Sequence, residues 1–149
     1  MARHVIATLD AVGVGDIALL APERVELLRC RWIADRGRGL NRELSTALPD
    51  TPVLVIHADL PLVAAEEIAG LLRVATRAGA AIAADRAQQG TNALALLDPA
   101  GFTPAFGPAS LAKHRALLPH AALFERRGLA LDVDTPADLL AARVAGWEI

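Results

Sequence analysis

Aromatic residues make up only 3% of this 149-residue chain, and it has no tyrosine at all. Stacking platforms for single-stranded nucleic acid are therefore excluded. The net charge of −2 gives no footprint for a phosphate backbone either. The single cysteine, Cys30, rules out an internal disulfide and a cysteine-rich zinc site, and makes a reducing cytoplasm the default expectation. No apolar run approaches the roughly 20 residues of a membrane span. The opening Met1-Ala2-Arg3-His4 lacks the charged-then-apolar form of a secretory signal. Lysine is nearly missing as well. Of 15 basic residues only Lys113 is a lysine, so a mechanism that needs lysine on a nucleotide phosphate has one candidate.

What is present is apolar. Hydrophobic residues reach 54% and charged residues 21%, a globular composition, and the length suits one domain with a sizeable core. The strongest stretch is Val53 to Leu62, V-L-V-I-H-A-D-L-P-L. An unbroken apolar run entered past Pro52 reads as a strand buried on both faces, as in a parallel sheet. It ends in Asp59, and Leu60-Pro61 stops it. The carboxyl ends of strands in open α/β sheets are where ligands bind, so Asp59 is either an acidic group delivered to a site or a cap on the following turn.

Around this stretch the periodicity predicts a helix over 2–12, a strand over 16–21 and a helix over 22–31 opened by Pro22. A glycine-punctuated loop carrying Arg36 and Arg38 precedes Asn41, which can cap a helix to about Leu48. A helix over 64–78 presents Ile68, Leu71, Leu72 and Ala75 on one stripe. Strands over 80–84 and 92–97 flank the polar loop 85–91. A helix opened by Pro108 or Ser110 runs to Leu118, and 129–134 alternates like a strand with one wet face. Thr135-Pro136-Ala137-Asp138 starts the last helix with a capping box. Strands alternating with helices predict an α/β three-layer sandwich with a mostly parallel sheet.

Asp59 and the pair Asp132/Asp134 end strands far apart in sequence, and such ends converge on one edge of a parallel sheet. Carboxylates meeting there suit a hard cation such as Mg²⁺, which can clamp the oxygens of a phosphoryl displacement. The alternative is that Asp132 and Asp134 only solvate a strand end and the start of a helix. Gly90-Thr91-Asn92 and Phe106-Gly107-Pro108-Ala109-Ser110 each present backbone amides and a hydroxyl where an anion could sit, although glycine turns and serine caps are routine. His57 lies within the apolar strand and reads as a core histidine. His114 follows Lys113 one turn into the helix, within reach of an anion held at its start. Cys30, among Leu27, Leu28 and Trp32, reads as packing.

Five segments occur in a fixed order: G-L-N (Gly39 to Asn41), H-A-D-L-P-L (His57 to Leu62), G-T-N-A-L (Gly90 to Leu94), F-G-P-A-S-L-A-K-H (Phe106 to His114) and L-D-V-D-T-P-A-D-L (Leu131 to Leu139). The set resembles the 2-phospho-L-lactate guanylyltransferase family of coenzyme F420 biosynthesis, within the MobA-like nucleotidyltransferase superfamily. The resemblance implies a Rossmann-like fold and transfer of GMP from GTP to a small phosphorylated acid (2-phospho-L-lactate, phosphoenolpyruvate or 3-phosphoglycerate) with release of pyrophosphate. It implies Mg²⁺ on Asp59 and Asp134 with Asp132 nearby. The acid would lie on Thr91, Asn92, Gly107, Ser110 and His114, and the nucleotide against Gly39, Leu40 and Asn41.

Members of that family begin with a strand and a lysine-bearing loop ending near K-[ST]-R-L. Met1 to His4 falls in the helix that follows this loop. The resemblance therefore implies an N-terminally truncated sheet with a gap at its centre, and Lys113, on the acid side, does not replace the loop. Three expectations follow from that gap: a misassigned start to a normal enzyme, a homodimer or partner chain that supplies the strand, or a degenerate relative that binds a phosphorylated acid without turnover. A third class, a glycosyltransferase-like domain using Asp132-Val133-Asp134, is opposed by the Thr-Pro helix start and the shortage of aromatic residues.

Overall fold

Alternating short strands and amphipathic helices leave each strand's two faces to be covered, and the chain does this in three layers. A computed structural model describes residues 1–26 and 30–148. The elements, in order, are α1 (Ala2–Val12), β1 (Ala18–Ala21), β2 (Arg31–Ala34), α2 (Leu40–Ala47), β3 (Val53–Ile56), α3 (Ala65–Ala78), β4 (Ala80–Ala84), β5 (Thr91–Leu96), α4 (Ser110–Leu117), β6 (Ala122–Leu123), α5 (Arg127–Ala130) and α6 (Pro136–Val144). The strands form two sheets: a parallel pair, β1-β2, and a four-stranded sheet in the order β3-β5-β4-β6.

The α/β fold is as expected, but the larger sheet is mixed instead of mostly parallel. β5 runs antiparallel to both β3 and β4, and only β4-β6 is parallel. The short 85–90 connection between β4 and β5 is the reason. Six residues can turn a hairpin, whereas a parallel return needs a crossover of a dozen or more.

The core lies on both faces of this sheet. On one, Val5, Ile6 and Leu9 of α1 and Ile68, Leu71 and Ala75 of α3 pack on Ala81, Ala83, Ala93 and Ala95, with Leu54 and Ile56 against them. On the other, Ile82, Leu94 and Leu96 meet Leu111 of α4, Phe106 and Leu44 of α2. Alanine on the first face lets the helices approach closely. β4 and β5 are buried at every residue. Each fully buried leucine or isoleucine here, such as Ile68, Leu71 and Ile82, contributes about 1.5–3 kcal/mol.

Three expectations from the sequence need correction, and one strand was not foreseen. In the expected helix over 22–31, residues 22–26 are bend and irregular chain, Leu27, Leu28 and Arg29 lie outside the described residues, and Arg31 opens the strand Arg31–Ala34. β3 covers only Val53–Ile56 and is half-buried, because its outer edge borders a cavity instead of a neighbouring strand. The 129–134 alternation is real in burial, with Leu129 and Leu131 inside, but makes no ladder. There the carbonyl of Leu129 is taken by the Asn92 side chain and that of Ala130 by the backbone N–H of Arg86. The two residues of β6 were too few to give a periodic signal.

The loop that follows Asp59 is fastened to the segment that carries Asp132 and Asp134. Glu67 accepts from the Ala64 N–H (3.1 Å) as a helix-start box for α3 and, through its other oxygen, from the Gly128 N–H (3.0 Å). A Cβ on Gly128 would collide with that Glu67 carboxylate and with the backbone of Leu62. Gly128→Ala should therefore lower unfolding stability by about 1–3 kcal/mol, the range for forcing atoms into a packed site. Urea denaturation of the variant checks this, and an unchanged midpoint would show the contact to be loose.

Candidate active site

β3 carries the chain straight from the core to His57 and Asp59. The His57 N–H donates to the Asn92 carbonyl at 2.9 Å, extending the β3-β5 ladder one step beyond the strand. His57 Nδ1 stands 3.9 Å from Asp59 Oδ1, too far for a hydrogen bond. Asp59 Oδ1 and His57 Nε2 are both buried with no hydrogen-bond partner among the described residues. Buried polar atoms are nearly always paired, so this acceptor and this ring nitrogen are candidates for external partners.

Burial pushes the Asp59 carboxyl above its usual range. The His57 ring and a backbone hydrogen bond pull the other way, while Asp132 and Asp134 add to the rise by like-charge repulsion. The three carboxylates therefore share one electrostatic neighbourhood, as expected from the sequence. They do not close into a cage: no three His, Cys, Asp or Glu side chains among the described residues converge tightly enough to hold a metal by themselves. Asp132 is tethered by Asn92 Nδ2 (3.2 Å), and Asp134 is exposed ahead of α6. This open set still fits Mg²⁺, which keeps several waters and takes one or two protein carboxylates together with substrate phosphate oxygens.

The residues expected around the phosphorylated acid form a buried network. Thr91, Asn92, Ser110 and His114 are each no more than 2% exposed. Ser110 Oγ accepts from the Thr91 N–H at 2.9 Å. His114 Nε2 accepts from the Ala105 N–H at 3.1 Å, so its proton sits on Nδ1 and points to Thr91 Oγ1 at 2.9 Å. Both ring nitrogens are thereby used. His114 is a positioning residue for Thr91, a correction to its expected contact with the acid. Burial, with a smaller push from Lys113, holds its pKa down to about 4.

The start of α4 is also less open than the sequence suggested. Ser110 N–H is taken by the Gly107 carbonyl and Leu111 N–H by the Gln89 carbonyl. Ala109 takes a left-handed conformation there (φ 56°, ψ 31°), a strained state for a residue with a Cβ, which turns Ser110 inward toward Thr91.

On the opposite wall, Gly39 starts α2 at φ 94°, a conformation that suits glycine alone. Asn41 clamps the Phe106 peptide from both ends, donating from Nδ2 to its carbonyl (3.0 Å) and accepting its N–H (2.7 Å). Its amide thus shapes the wall from behind, and exposed Leu40 faces the cavity. Phe106 stands edge-on to His114, with ring centroids 4.7 Å apart, and tilted to His57 at 5.8 Å. A cavity of about 920 Å³ runs from His57, Asp59 and Phe106 past Leu40 to the facing edges of β1 and β3.

Sequence reasoning missed Glu43, which is 3% exposed and gathers the basic loop. It takes two bonds from the Arg38 guanidinium (2.9 and 2.8 Å) and accepts the N–H groups of Arg36 and Arg38. Arg38 holds its pKa down to about 2. Arg38 is therefore committed to the loop, and Arg36 and Arg42 are exposed. A carboxylate on the buried side of an otherwise polar helix was the available signal. Glu67 was hidden because its capping partner is an alanine.

The family profile described as "Guanylyl transferase CofC like" matches residues 1–148. The chain belongs to this family of guanylyltransferase-like proteins. Among its relatives is the phosphoenolpyruvate guanylyltransferase of Sphaerobacter thermophilus, 37% identical over 152 residues that cover 91% of this chain and 73% of that protein. The enzyme of the same name from Rubrobacter xylanophilus is 33% identical over 162 residues, covering 98% and 79%. Solved structures of two Thermus thermophilus proteins share the fold: a hypothetical transferase (TM-score 0.67, 21% identity, 93% and 85% coverage) and 2-C-methyl-D-erythritol 4-phosphate cytidylyltransferase (0.62, 17%, 95% and 85%). No helix among the described residues is long and apolar enough to cross a membrane.

Two predictions follow from the charges of this family member's site. Because burial raises the Asp59 pKa, its ionised form opposes folding at neutral pH, and that penalty fades as pH falls through the folded-state pKa. Asp59→Asn should raise Tm at pH 7, the gain shrinking in acid, and calorimetry at several pH values checks it; a lower Tm at pH 7 would make Asp59 a structural cap. His114, neutral when folded, contributes stability that is complete above about pH 6.5 and drains away as pH falls toward about 4. His114→Leu should therefore be less stable at pH 7 yet lose less stability than the parent between those limits.

Proposed function

We propose that this chain is a Mg²⁺-dependent guanylyltransferase that moves GMP from GTP to the phosphate of a small phosphorylated acid in coenzyme F420 biosynthesis. In this reading the 149 residues act as one cytoplasmic nucleotidyltransferase-like domain. The observation that carries it is the unpartnered, buried oxygen of Asp59 at the end of a large cavity, in the field of Asp132 and Asp134. Membership of the family supports the reaction class, and the name shared by the relatives makes phosphoenolpyruvate the first acceptor to test, with 2-phospho-L-lactate and 3-phosphoglycerate beside it.

An oxygen of the acid's phosphate attacks the α-phosphorus of GTP. The new P–O bond forms as the bond from the α-phosphorus to the α,β-bridging oxygen breaks, and pyrophosphate leaves with that electron pair. No protein nucleophile is needed, in keeping with a site that has no Ser-His-Asp or Cys-His arrangement among the described residues. Asp59 and Asp134, with Asp132 nearby, would hold Mg²⁺, which when bound supplies charge neutralisation on the phosphate oxygens. The chain itself supplies alignment. Gly39, Leu40 and Asn41 form the nucleotide side. Thr91, Gly107 and Ser110 form the acid side, where the Thr91 and Ser110 hydroxyls each keep a proton to donate after accepting from His114 and from the Thr91 N–H. Asn92 and His114 act behind them, one on Asp132 and the other on Thr91.

A second reading, a non-catalytic relative or subunit that binds the acid and takes a strand from a partner chain or a second copy, draws on the open space between β1 and β3. The deciding experiment is GTP-dependent pyrophosphate release with each of the three acids. Turnover with at least one, falling about 100-fold or more in Asp59→Asn, supports the enzyme. Acid binding with no turnover on any of them supports the second reading.

A further inference from the structure

His57 stands where packing alone calls for an apolar residue. Val53 and Val55, on one side of β3, pack with Phe106 and Leu111. The alternation of the strand carries His57 to that same side, where its ring lies 5.8 Å from that of Phe106 between centroids. A half-buried polar ring in such a place costs free energy unless its nitrogens are paired. No described residue pairs either of them. Nε2 is buried without a partner, and Nδ1 lies 3.9 Å from Asp59 Oδ1, itself buried and unpartnered. A neutral imidazole has one N–H and one lone pair. Buried N–H groups without an acceptor are rarer in folded proteins than unmet lone pairs. The proton therefore sits on Nδ1, on the side of Asp59, and the ring borders the cavity.

We propose that His57 Nδ1–H donates to a phosphate oxygen of the substrate, beside the point where Asp59 offers its free oxygen to the cation. The inference rests on the reading of Asp59, Asp132 and Asp134 as a cation site, and adds to it a residue that touches substrate. A protonated nitrogen has no lone pair for a metal ion. Ligation through Nδ1 would move the proton to Nε2, a buried donor with nothing to accept it. Water bound to a cation turns its protons outward and donates, so it is a poor partner for an N–H. An anionic oxygen remains, and a hydrogen bond to one is about twice as strong as a neutral one. The 3.9 Å span is too long for a direct bond from Nδ1 to Asp59, and it leaves room for a phosphate oxygen that shares the cation with that carboxylate. Two phosphates of the proposed reaction qualify, that of the acid and the α-phosphate of GTP. The ring's contact with Phe106, the residue before Gly107 on the acid side, favours the acid.

The test uses the full chain in mildly alkaline buffer, with the His57 ring read by long-range proton–nitrogen NMR and binding read by calorimetry. The probes are Mg²⁺ alone, phosphoenolpyruvate with Mg²⁺, and the α,β-methylene analogue of GTP with Mg²⁺. The ring proton is expected on Nδ1 in the free chain and with Mg²⁺ alone. A phosphate probe then moves its signal downfield, and the probe that does so shows which phosphate is held. His57→Phe keeps the ring's packing and loses the donor. It should bind that probe about 10-fold or more weakly, with Mg²⁺ affinity unchanged within about threefold. His57→Asn, whose amide nitrogen takes the place of Nδ1, should recover most of the loss. A proton on Nε2, loss of the Nδ1 proton on adding Mg²⁺, or loss of Mg²⁺ binding itself in His57→Phe overturns the proposal. So does full affinity of His57→Phe for both probes, or a parent chain that binds Mg²⁺ and neither probe; in these cases the cation site stands. A parent chain that binds no Mg²⁺ overturns the cation site, and the proposal with it.

Discussion

Asn92 holds the two halves of the candidate site in register. Its backbone carbonyl accepts from His57, fixing the end of β3, while its side-chain amide donates to the Leu129 carbonyl (3.1 Å) and to Asp132 (3.2 Å). One residue, 1% exposed, thus ties the strand that delivers Asp59 to the segment that delivers Asp132 and Asp134. Burial does most to raise the Asp59 pKa, and repulsion from Asp132 and Asp134 adds to it. The fold keeps them together through Asn92, through Glu67 on Gly128, and through Arg86, which binds the Ala130 carbonyl and Asp138. Such strain at a polar centre is what an incoming cation or phosphate-bound metal would relieve.

Elements with strong local signals were legible in the sequence. β4 was read to the residue, because five apolar residues between Gly79 and Asp85 leave little freedom. The last helix was legible from Thr135-Pro136-Ala137-Asp138, whose box forms as read, with Thr135 N–H on Asp138 Oδ2 at 3.0 Å. The convergence of Asp59 with Asp132 and Asp134 was legible because strand ends share an edge. The roles inside the 91–114 network were not. Hydroxyl, amide and imidazole side chains near glycine look alike in sequence whether they face a ligand or one another, and only the three-dimensional pairing shows His114 spent on Ala105 and Thr91. Sheet direction was misjudged for a related reason: apolar continuity reports burial, which a central antiparallel strand such as β5 shares with a parallel one.

The same geometry links fold and chemistry at the opposite end of the cavity. Residues of β1 and β3 line one space with Leu40 and Asp59. The basic loop beside this space is fixed by the Glu43–Arg38 pair.

The central claim, that Asp59, Asp132 and Asp134 form one open cation site, is tested most directly by titrating Mn²⁺ into the chain and following paramagnetic broadening of its amide signals. The account predicts that the signals of residues 58–60 and 132–134 vanish first and together, and return on addition of excess Mg²⁺. Broadening that begins instead at isolated surface carboxylates such as Asp50 and Asp98, with residues 58–60 untouched, would contradict it.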